Sequence, residues 1–489
     1  MNLKERLTDK AFAIVSDAAD SIGRECYVVG GYVRDIVIGR PSKDIDFVTV
    51  GSGIELAEAV SKKLGRGSHL AVFRTYGTAQ VTARDLDLEF VGARRESYRH
   101  DSRNPIVEDG TLDDDLARRD FTINALAVSV NRATFGELID KYDGIGDIER
   151  HIIRTPLDPD VTFSDDPLRM LRAIRFATQL QFEIHPETLT SIKRNAERIS
   201  IITAERVKDE LGKIMRSPRP SIGWHLLLHT GLLHLILPEV EALCGVDVVN
   251  GRAHKDNFNH TMQVLDSVAA RSDNEWLRWA ALFHDIAKPV TKRYDPTTGW
   301  TFHNHNFIGA KMIPGIFTRL KLPLGAEMRY VKKLVELHMR PIALVEDEVT
   351  DSAVRRLMNY AEEDLGDLMI LARADITSKN EAKKQRFLEN FDLVEEKFKD
   401  IEAKDKERNR KNPVDGNEIM HIFGLHQSPL VGYFTKNLKQ AIKDCEIEDT
   451  RRASLEYLYR LGREAGIEPV NEPLFPDEED TPQEDNPQQ

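Results

Sequence analysis

Asp44 and Asp46, in the run Lys43-Asp44-Ile45-Asp46-Phe47, set two carboxylates two residues apart. On a strand, side chains alternate between faces, so both would leave the same face about 7 Å apart along the backbone and could share divalent cations. Just upstream, Cys26 to Val29 reads as a buried strand running into Gly30-Gly31, and Tyr32 to Ile38 reads as a helix ended by Gly39. Paired glycines at a helix start let backbone N–H groups approach phosphate oxygens. One half of the constellation suits a triphosphate and the other half suits its magnesium.

A second constellation is Asp165-Asp166-Pro167-Leu168-Arg169-Met170-Leu171-Arg172-Ala173-Ile174-Arg175-Phe176. Pro167 fits the first turn of a helix, which strings Arg169, Arg172 and Arg175 along one face while Leu168, Leu171, Ile174 and Phe176 form a buried one. Asp166 and Arg169 offer an acceptor and a donor together. Cytosine and adenine each present an amino donor beside a ring-nitrogen acceptor, whereas uracil and guanine present a carbonyl beside N–H. The pair therefore accepts C and A and rejects U and G, which would permit selective addition without a nucleic-acid template.

The C-terminal half carries a third pattern: His260, then the adjacent His284-Asp285 in an apolar helix, then Asp375. A lone histidine on a helix is usually a satisfied core residue, but His…His-Asp…Asp in this order reads as a metal site. Imidazole with carboxylate suits Mn, Fe, Ni, Zn or Mg, so the chemistry specifies a divalent metal but not which one.

The first constellation resembles motif A of the nucleotidyltransferase superfamily, in the branch of class II tRNA nucleotidyltransferases and bacterial poly(A) polymerases. Arg118-Arg119-Asp120-Phe121-Thr122-Ile123-Asn124-Ala125 resembles motif B of that family, Asp140 to Arg154 motif C, and Thr203 to Leu211 motif E, a helix with Thr203 as its expected N-cap. The Asp166/Arg169 segment resembles the neck helix that templates the incoming base, with Asp165 where many members carry Glu. The resemblance implies nucleotidyl transfer with two Mg²⁺ ions on Asp44 and Asp46, and addition of C, C and A to the 3′ end of tRNA from CTP and ATP. Gly30 and Gly31 would approach the phosphates, Arg34 and one of Arg118 or Arg119 would neutralise their charge, and Asn124 would contact ribose. Arg172 and Arg175 extend the nucleotide-binding set, and Asp87 or Glu89 is the candidate third carboxylate.

The His-Asp pattern resembles the HD phosphohydrolase superfamily, fused here to the nucleotidyltransferase. His305 and His338 could add ligands for a second metal, and phosphoesters at an RNA end are the substrates this resemblance implies.

These residues need an α/β nucleotidyltransferase head with a mixed sheet and helices, followed by a mostly α-helical neck and body that includes an HD domain. Helical spacing runs over Ile54 to Leu64, and strands are expected at Leu70–Phe73, Thr78–Ala83 and Leu86–Val91. Ala93 to Leu116 has neither period and reads as a mobile loop over the site. The expected domains are a head at 1–155, a neck at 156–244, an HD-type domain at 245–380, an RNA-contacting helical region at 381–465 and a disordered acidic tail at 466–489. With 489 residues, several cores are expected.

A hydrophobic share of 41% and a charged share of 30% describe an ordinary globular protein, and no run approaches transmembrane length. Three widely spaced cysteines imply no disulfide framework, and with no targeting segment read at the N-terminus a cytoplasmic location is expected. The net charge of −13 is concentrated partly in the tail and so does not exclude RNA, because the local field decides where phosphate binds. Oligomeric state is not written in the sequence. Three readings compete: a CCA-adding enzyme; a poly(A) polymerase or an enzyme adding only CC or only A; and an HD phosphohydrolase whose N-terminal domain binds RNA.

Overall fold

The computed structural model describes all residues except 43–44, 75–76, 84–85, 100–101, 250–251, 254–255, 347–349, 378–380, 408–412 and 475–489, with side chains left out at some flanking positions. The chain divides into two compact units, residues 1–305 with 312–328, and residues 306–311 with 329–489.

The first unit opens with a helix, α1 (Lys10–Ser21), and strand β1 (Cys26–Val29), which enters α2 (Gly31–Ile38) and then β2 (Ile45–Thr49), α3 (Gly53–Leu64), β3 (Ser68–Phe73), β4 (Thr78–Ala83) and β5 (Leu86–Gly92). With β8 (Leu126–Ser129) and β9 (Leu138–Asp140), these strands form one seven-stranded sheet in the order β3-β4-β5-β2-β1-β8-β9. Pairing is antiparallel throughout except for β2 with β5, which is parallel.

Alternation along β5 buries Leu86, Leu88 and Phe90 and exposes Asp87 and Glu89. Phe90 stacks on Phe47 of β2 at 5.4 Å, and Phe12 of α1 meets Phe47 edge-on at 5.9 Å. Aromatic packing on one face thus fixes the register that places acidic side chains side by side on the other.

Residues 93–116 differ from the loop expected there. They form a hairpin of β6 (Arg94–Arg99) and β7 (Ser102–Asp109), then α4 (Leu112–Ala117). The segment's sequence has no hydrophobic period to mark the hairpin; at its base Arg118 pairs with Glu96, and a capping box between Thr111 and Asp114 opens α4.

The neck follows α5 (Gly144–Glu149) and begins where β10 (Ile152–Ile153) pairs in parallel with β11 (Glu183–Ile184). Its helices are α6 (Pro159–Asp165), α7 (Leu168–Leu180), α8 (Pro186–Asn195) and α9 (Ala204–Met215). Thr203 does occupy the N-cap position of α9, but its side chain makes no capping hydrogen bond, so the expected cap is one of position only. Beyond the neck, β12 (Val248–Val249) pairs with β13 (Arg252–Ala253), helices Asn257–Ala269 and Glu275–Phe283 then pack together, and β14 (Arg293–Asp295) with β15 (Gly299–Thr301) follows.

The second unit is helical, with the long helix Glu381–Glu407 and a terminal module of helices Gly416–Ile422, Pro429–Lys443 and Arg451–Glu464. The module's core contains Ile419, Ile422, Phe434, Leu438 and Leu458, and a buried ion pair joins Arg451 to Glu418. Disorder was expected from 466 onward, yet residues 466–474 dock on this module. The N–H groups of Val470 and Asn471 donate to the Ile422 carbonyl, and that of Leu474 donates to Glu418. Composition alone missed these backbone bonds. Residues 475–489 lie outside the described part. Among the described residues, no helix is long and apolar enough to cross a membrane.

Candidate active site and metal centre

The head cradle starts at Gly30. Its φ of +71° belongs to glycine's range, and a Cβ there would lie 2.8 Å from Nη1 of Arg119. The bare backbone therefore lets a guanidinium sit directly over the turn that opens α2. Gly31 is the first residue of α2, and Gly39 ends that helix in the left-handed conformation expected of it.

Asp46 lies half-buried on β2, and the parallel register sets it beside Glu89 of β5. Burial, and next the charges of Asp46 and Asp87, raise the Glu89 carboxyl above its ordinary value. Carboxylates gathered against their mutual repulsion suit a divalent cation. Asp87 instead accepts a 2.6 Å bond from Gln80. Asp44 lies outside the described residues.

Four side chains join the head to the neck. Arg34, almost fully buried, donates to Asn124 Oδ1 at 2.9 Å; Asn124 donates to Asp120 Oδ1 at 3.0 Å; and Arg172 of α7 donates to Asp120 Oδ2 at 2.8 Å. Burial alone would raise the Asp120 carboxyl. The Arg172 charge, with the Asn124 and Arg172 hydrogen bonds, overcomes that and holds it down at about 2. Phe176 sits among the guanidiniums of Arg34, Arg172 and Arg175, at 5.0, 5.5 and 3.9 Å from its ring centre.

Arg169 donates to the Arg118 carbonyl at 2.7 Å, which anchors the expected base reader to the motif that carries the two arginines. Asp166 precedes α7, and its side chain accepts from the Leu168 N–H at 3.2 Å. Asp115, fully buried, receives both Arg118 and Arg119. Burial opposes its ionisation, but the charges of Arg119 and Arg118 outweigh that and lower its pKa. Arg118 also reaches Glu96 of the hairpin at 3.1 Å. Of the two arginines, Arg119 lies against the glycine turn and Arg118 ties the hairpin. Arg175 forms a 2.6 Å ion pair with Glu210 of α9.

The second centre is enclosed. His260, His284 and Asp285 are all buried, and one possible ligand atom of each lies within 4.8 Å of the others. Nε2 of His284 stands 3.2 Å and Nε2 of His260 3.6 Å from Asp285 Oδ2, while Nε2 of His305 is 3.3 Å from Oδ1. Nδ1 of His284 and of His305 each lies 2.8 Å from a backbone carbonyl, Ala281 and Phe302 respectively. A ring whose Nδ1–H donates to a carbonyl, once it has lost its Nε2 proton, carries its lone pair on Nε2, so on metal binding both rings could offer that nitrogen as a ligand.

Burial favours neutral imidazole at His305, lowering its pKa. At Asp285 burial works toward the neutral acid, but the charges of His284 and Lys288 prevail and hold the carboxyl well below its usual range. These donors fit a divalent metal of the N/O-binding kind. Asp375 and His338 belong to the second unit: Asp375 ends helix Leu365–Asp375, and His338, fully buried, has Nδ1 2.7 Å from the Val335 carbonyl.

Residues 26–154 match the model of the poly A polymerase head domain, residues 181–244 that of the probable RNA and SrmB-binding site of polymerase A, and residues 257–380 the HD domain. An A-adding tRNA nucleotidyltransferase of Deinococcus radiodurans is 33% identical over 423 residues, covering 85% of this chain and 90% of the relative. The chain belongs to the class II tRNA nucleotidyltransferase and poly(A) polymerase family, with a fused HD domain.

A family structure described as a tRNA nucleotidyltransferase with a primer tRNA and an incoming ATP analogue is 25% identical, with a TM-score of 0.54 over 80% of this chain and 99% of that one. A CCA-adding enzyme in apo form is 20% identical, with a TM-score of 0.62 over 94% and 97% of the two chains. That of Thermotoga maritima, complexed with tRNA, is 19% identical with a TM-score of 0.60 over 94% and 99%. The last two likenesses show a shared fold.

Within this nucleotidyltransferase, the structure gives weight to residues that the sequence did not single out. Asp120 is the hub between Asn124 and Arg172, Asp115 holds the arginine pair, and Lys288 Nζ stands 2.6 Å from Asp285. Asp120 carried one usable signal: an acid directly after two arginines and four residues before an asparagine, in a run otherwise apolar enough to be buried.

Proposed function

We propose that this nucleotidyltransferase adds C, C and A to the 3′ end of tRNA from CTP and ATP, releasing pyrophosphate. The observation that carries this is the single joint in which Arg169, the base reader, bonds to the Arg118 peptide while Arg119 lies over Gly30. Base selection and phosphate binding then act on one nucleotide held in one frame. Asp166 and Arg169 complement cytosine and adenine alike, so the same pair serves both nucleotides.

Arg119 and Arg34 would screen the triphosphate, and Asn124, whose side chain joins Arg34 to Asp120, would contact ribose. Asp46 and Glu89, with Asp44 from the sequence pattern, would hold Mg²⁺, which when bound activates the RNA 3′-hydroxyl and steadies the departing pyrophosphate. The chain's work is to orient the triphosphate and exclude U and G. A cytoplasmic location is part of this proposal.

The A-adding relative favours a second reading, in which only the terminal A is added. The His260, His284, Asp285 and His305 centre would hold a divalent metal and hydrolyse phosphoesters.

The test incubates the protein and Mg²⁺ with tRNA transcripts ending at the discriminator base, at C and at CC, with CTP and ATP singly and together. Addition of C, C and one A, then arrest, is the expected result. Extension of only the CC-ending transcript, by a single A, overturns the proposal in favour of A addition. Long A tracts identify a poly(A) polymerase, and phosphate release with no extension moves the activity to the HD centre.

A further inference from the structure

Helix α9 faces two ways. Toward α7 it turns Glu210, which holds Arg175. Lys208, Gly212 and Arg216 recur every four residues, so they share another face, and that face borders a cleft of about 340 Å³ to which the proposed function gives no role.

The cleft's lining carries three cations, Lys208, Lys213 and Arg216, against two acids, Asp209 and Glu275. Glu275 is already engaged: Arg216 pairs with it, and Trp279 Nε1 donates to it at 3.3 Å. A Cβ at Gly212 would lie 3.1 Å from Glu275 Oε1 and 3.2 Å from Arg216 Nη1, so glycine leaves room for that pair to cross α9. Trp276 of helix Glu275–Phe283 adds a half-buried indole, its ring 6.2 Å from that of Phe317, and Leu322 and Pro323 add aliphatic surface. A cavity of this size, with surplus positive charge and a flat ring in its wall, suits a small organic anion whose body is flat and apolar.

Lys213 connects the cleft to α7. Its Nζ is 3.2 Å from Glu210 Oε1, and the other oxygen of Glu210 holds Arg175 Nε at 2.6 Å. Arg175 in turn lies 3.9 Å from the centre of the Phe176 ring, which Arg34 and Arg172 also approach. An anion in the cleft draws Lys213 away from Glu210, and a less neutralised Glu210 grips Arg175 harder. The helix that carries Arg169 thereby feels the charge in the cleft.

We infer that the cleft between α9 and helix Glu275–Phe283 is an effector site for a small organic anion with a flat apolar body, whose occupancy changes nucleotide discrimination through Lys213, Glu210 and Arg175. The change in discrimination rests on the proposed role of α7 in reading the base. The anionic group is a phosphate ester or a carboxylate, and separate probes distinguish them.

The whole protein, labelled with 5-fluorotryptophan, is titrated with phenyl phosphate, benzoate, inorganic phosphate and a short duplex RNA while its ¹⁹F spectrum is recorded. The chain has four tryptophans, and Trp276→Phe identifies the resonance of Trp276. We expect that resonance to move saturably with phenyl phosphate or benzoate, at concentrations about tenfold below those at which inorganic phosphate acts. Lys208→Ala should raise the Kd of the better probe about threefold, the loss of one half-exposed charge contact. No shift, or equal sensitivity to inorganic phosphate, overturns the site. A shift caused by the RNA at lower concentration than by either ring-bearing probe also overturns it and assigns this face to RNA.

Discrimination is then read as the ratio of kcat/KM for ATP to that for GTP on a CC-ending tRNA, with and without the better probe. A probe that only competed for the nucleotide site would lower both values alike and leave the ratio unchanged. We expect the ratio to change about fivefold in wild type and to stay constant in Lys213→Met. A constant ratio in wild type overturns the effector role. ATP is a substrate whether the protein adds C, C and A or only A, so failure of the CCA reading leaves this test intact. If no nucleotide is added at all, the reading of α7 has failed, and the titration alone still decides the site.

Discussion

The head cradle and the HD centre both gather ionisable residues, and they are built in opposite ways. In the head, Asp46 and Glu89 lie side by side on a sheet face and repel one another, and the nearby arginines are held by internal acids, Arg119 by Asp115 and Arg172 by Asp120. In the HD centre one carboxylate, Asp285, faces three imidazole nitrogens at 3.2 to 3.6 Å, all of them buried. In the proposed function the head would receive the charge that arrives with a nucleotide and its metal. The HD centre would be a preformed ligand set, with His284 and His305 oriented by backbone carbonyls. A site that must bind and release a highly charged substrate each cycle gains from open acids, whereas a resident metal gains from donors fixed in advance.

Separate centres should fail separately, and the largest effect expected is at the head. Asp46→Ala should lower nucleotide addition by at least about a thousandfold while metal content of the HD centre, measured by atomic emission, stays at the wild-type value. Loss of metal in that variant would contradict the comparison. The converse change, Asp285→Asn, should remove bound transition metal and leave tRNA extension within about twofold of wild type.

Asp120 sharpens the contrast, because it is an acid of the head that serves structure. Asp120→Asn leaves Arg172 without its anionic partner in a buried setting and should cost about 3 kcal/mol in urea unfolding, with a higher KM for both CTP and ATP. Its titration gives a pH signature. A carboxyl held at about 2 when folded, below its ordinary value of 3.8, adds stability that is complete above pH 3.8 and is lost as pH falls toward 2. The span corresponds to about 2 kcal/mol, and it should be missing from Asp120→Asn when unfolding midpoints are compared between pH 5 and pH 2.

The smallest effect is at the glycine turn. Gly30→Ala brings a methyl group against Arg119 at a positive φ, and should cost about 1–2 kcal/mol while raising KM for nucleotide more than it lowers kcat. Equal KM values in wild type and variant would remove Arg119 from phosphate binding.

Much of this was legible in the chain. Strand β1, the glycine turn, α2 with its Gly39 end and the alternation of β5 follow from local periodicity and from φ angles that only certain residues tolerate. The hairpin at residues 94–109 and the docked segment 466–474 did not, because both are held by partners distant in sequence: Arg118 for Glu96, and Ile422 for Val470 and Asn471. Local pattern carries no record of such partners.

Residue types and their spacing were readable along the chain: the Asp-x-Asp, the Gly-Gly, the Asp166/Arg169 pair and the ordered histidines and aspartates. These are properties of the chain, and their chemistry travels with them. It took the folded arrangement to set Glu89 rather than Asp87 beside Asp46, Arg119 rather than Arg118 over Gly30, and Asp120 at the joint between head and neck. Each of those choices depends on strand register or on contact between separate elements, and packing of Phe47 on Phe90 or Phe121 on Phe176 sets them at positions that no local period encodes.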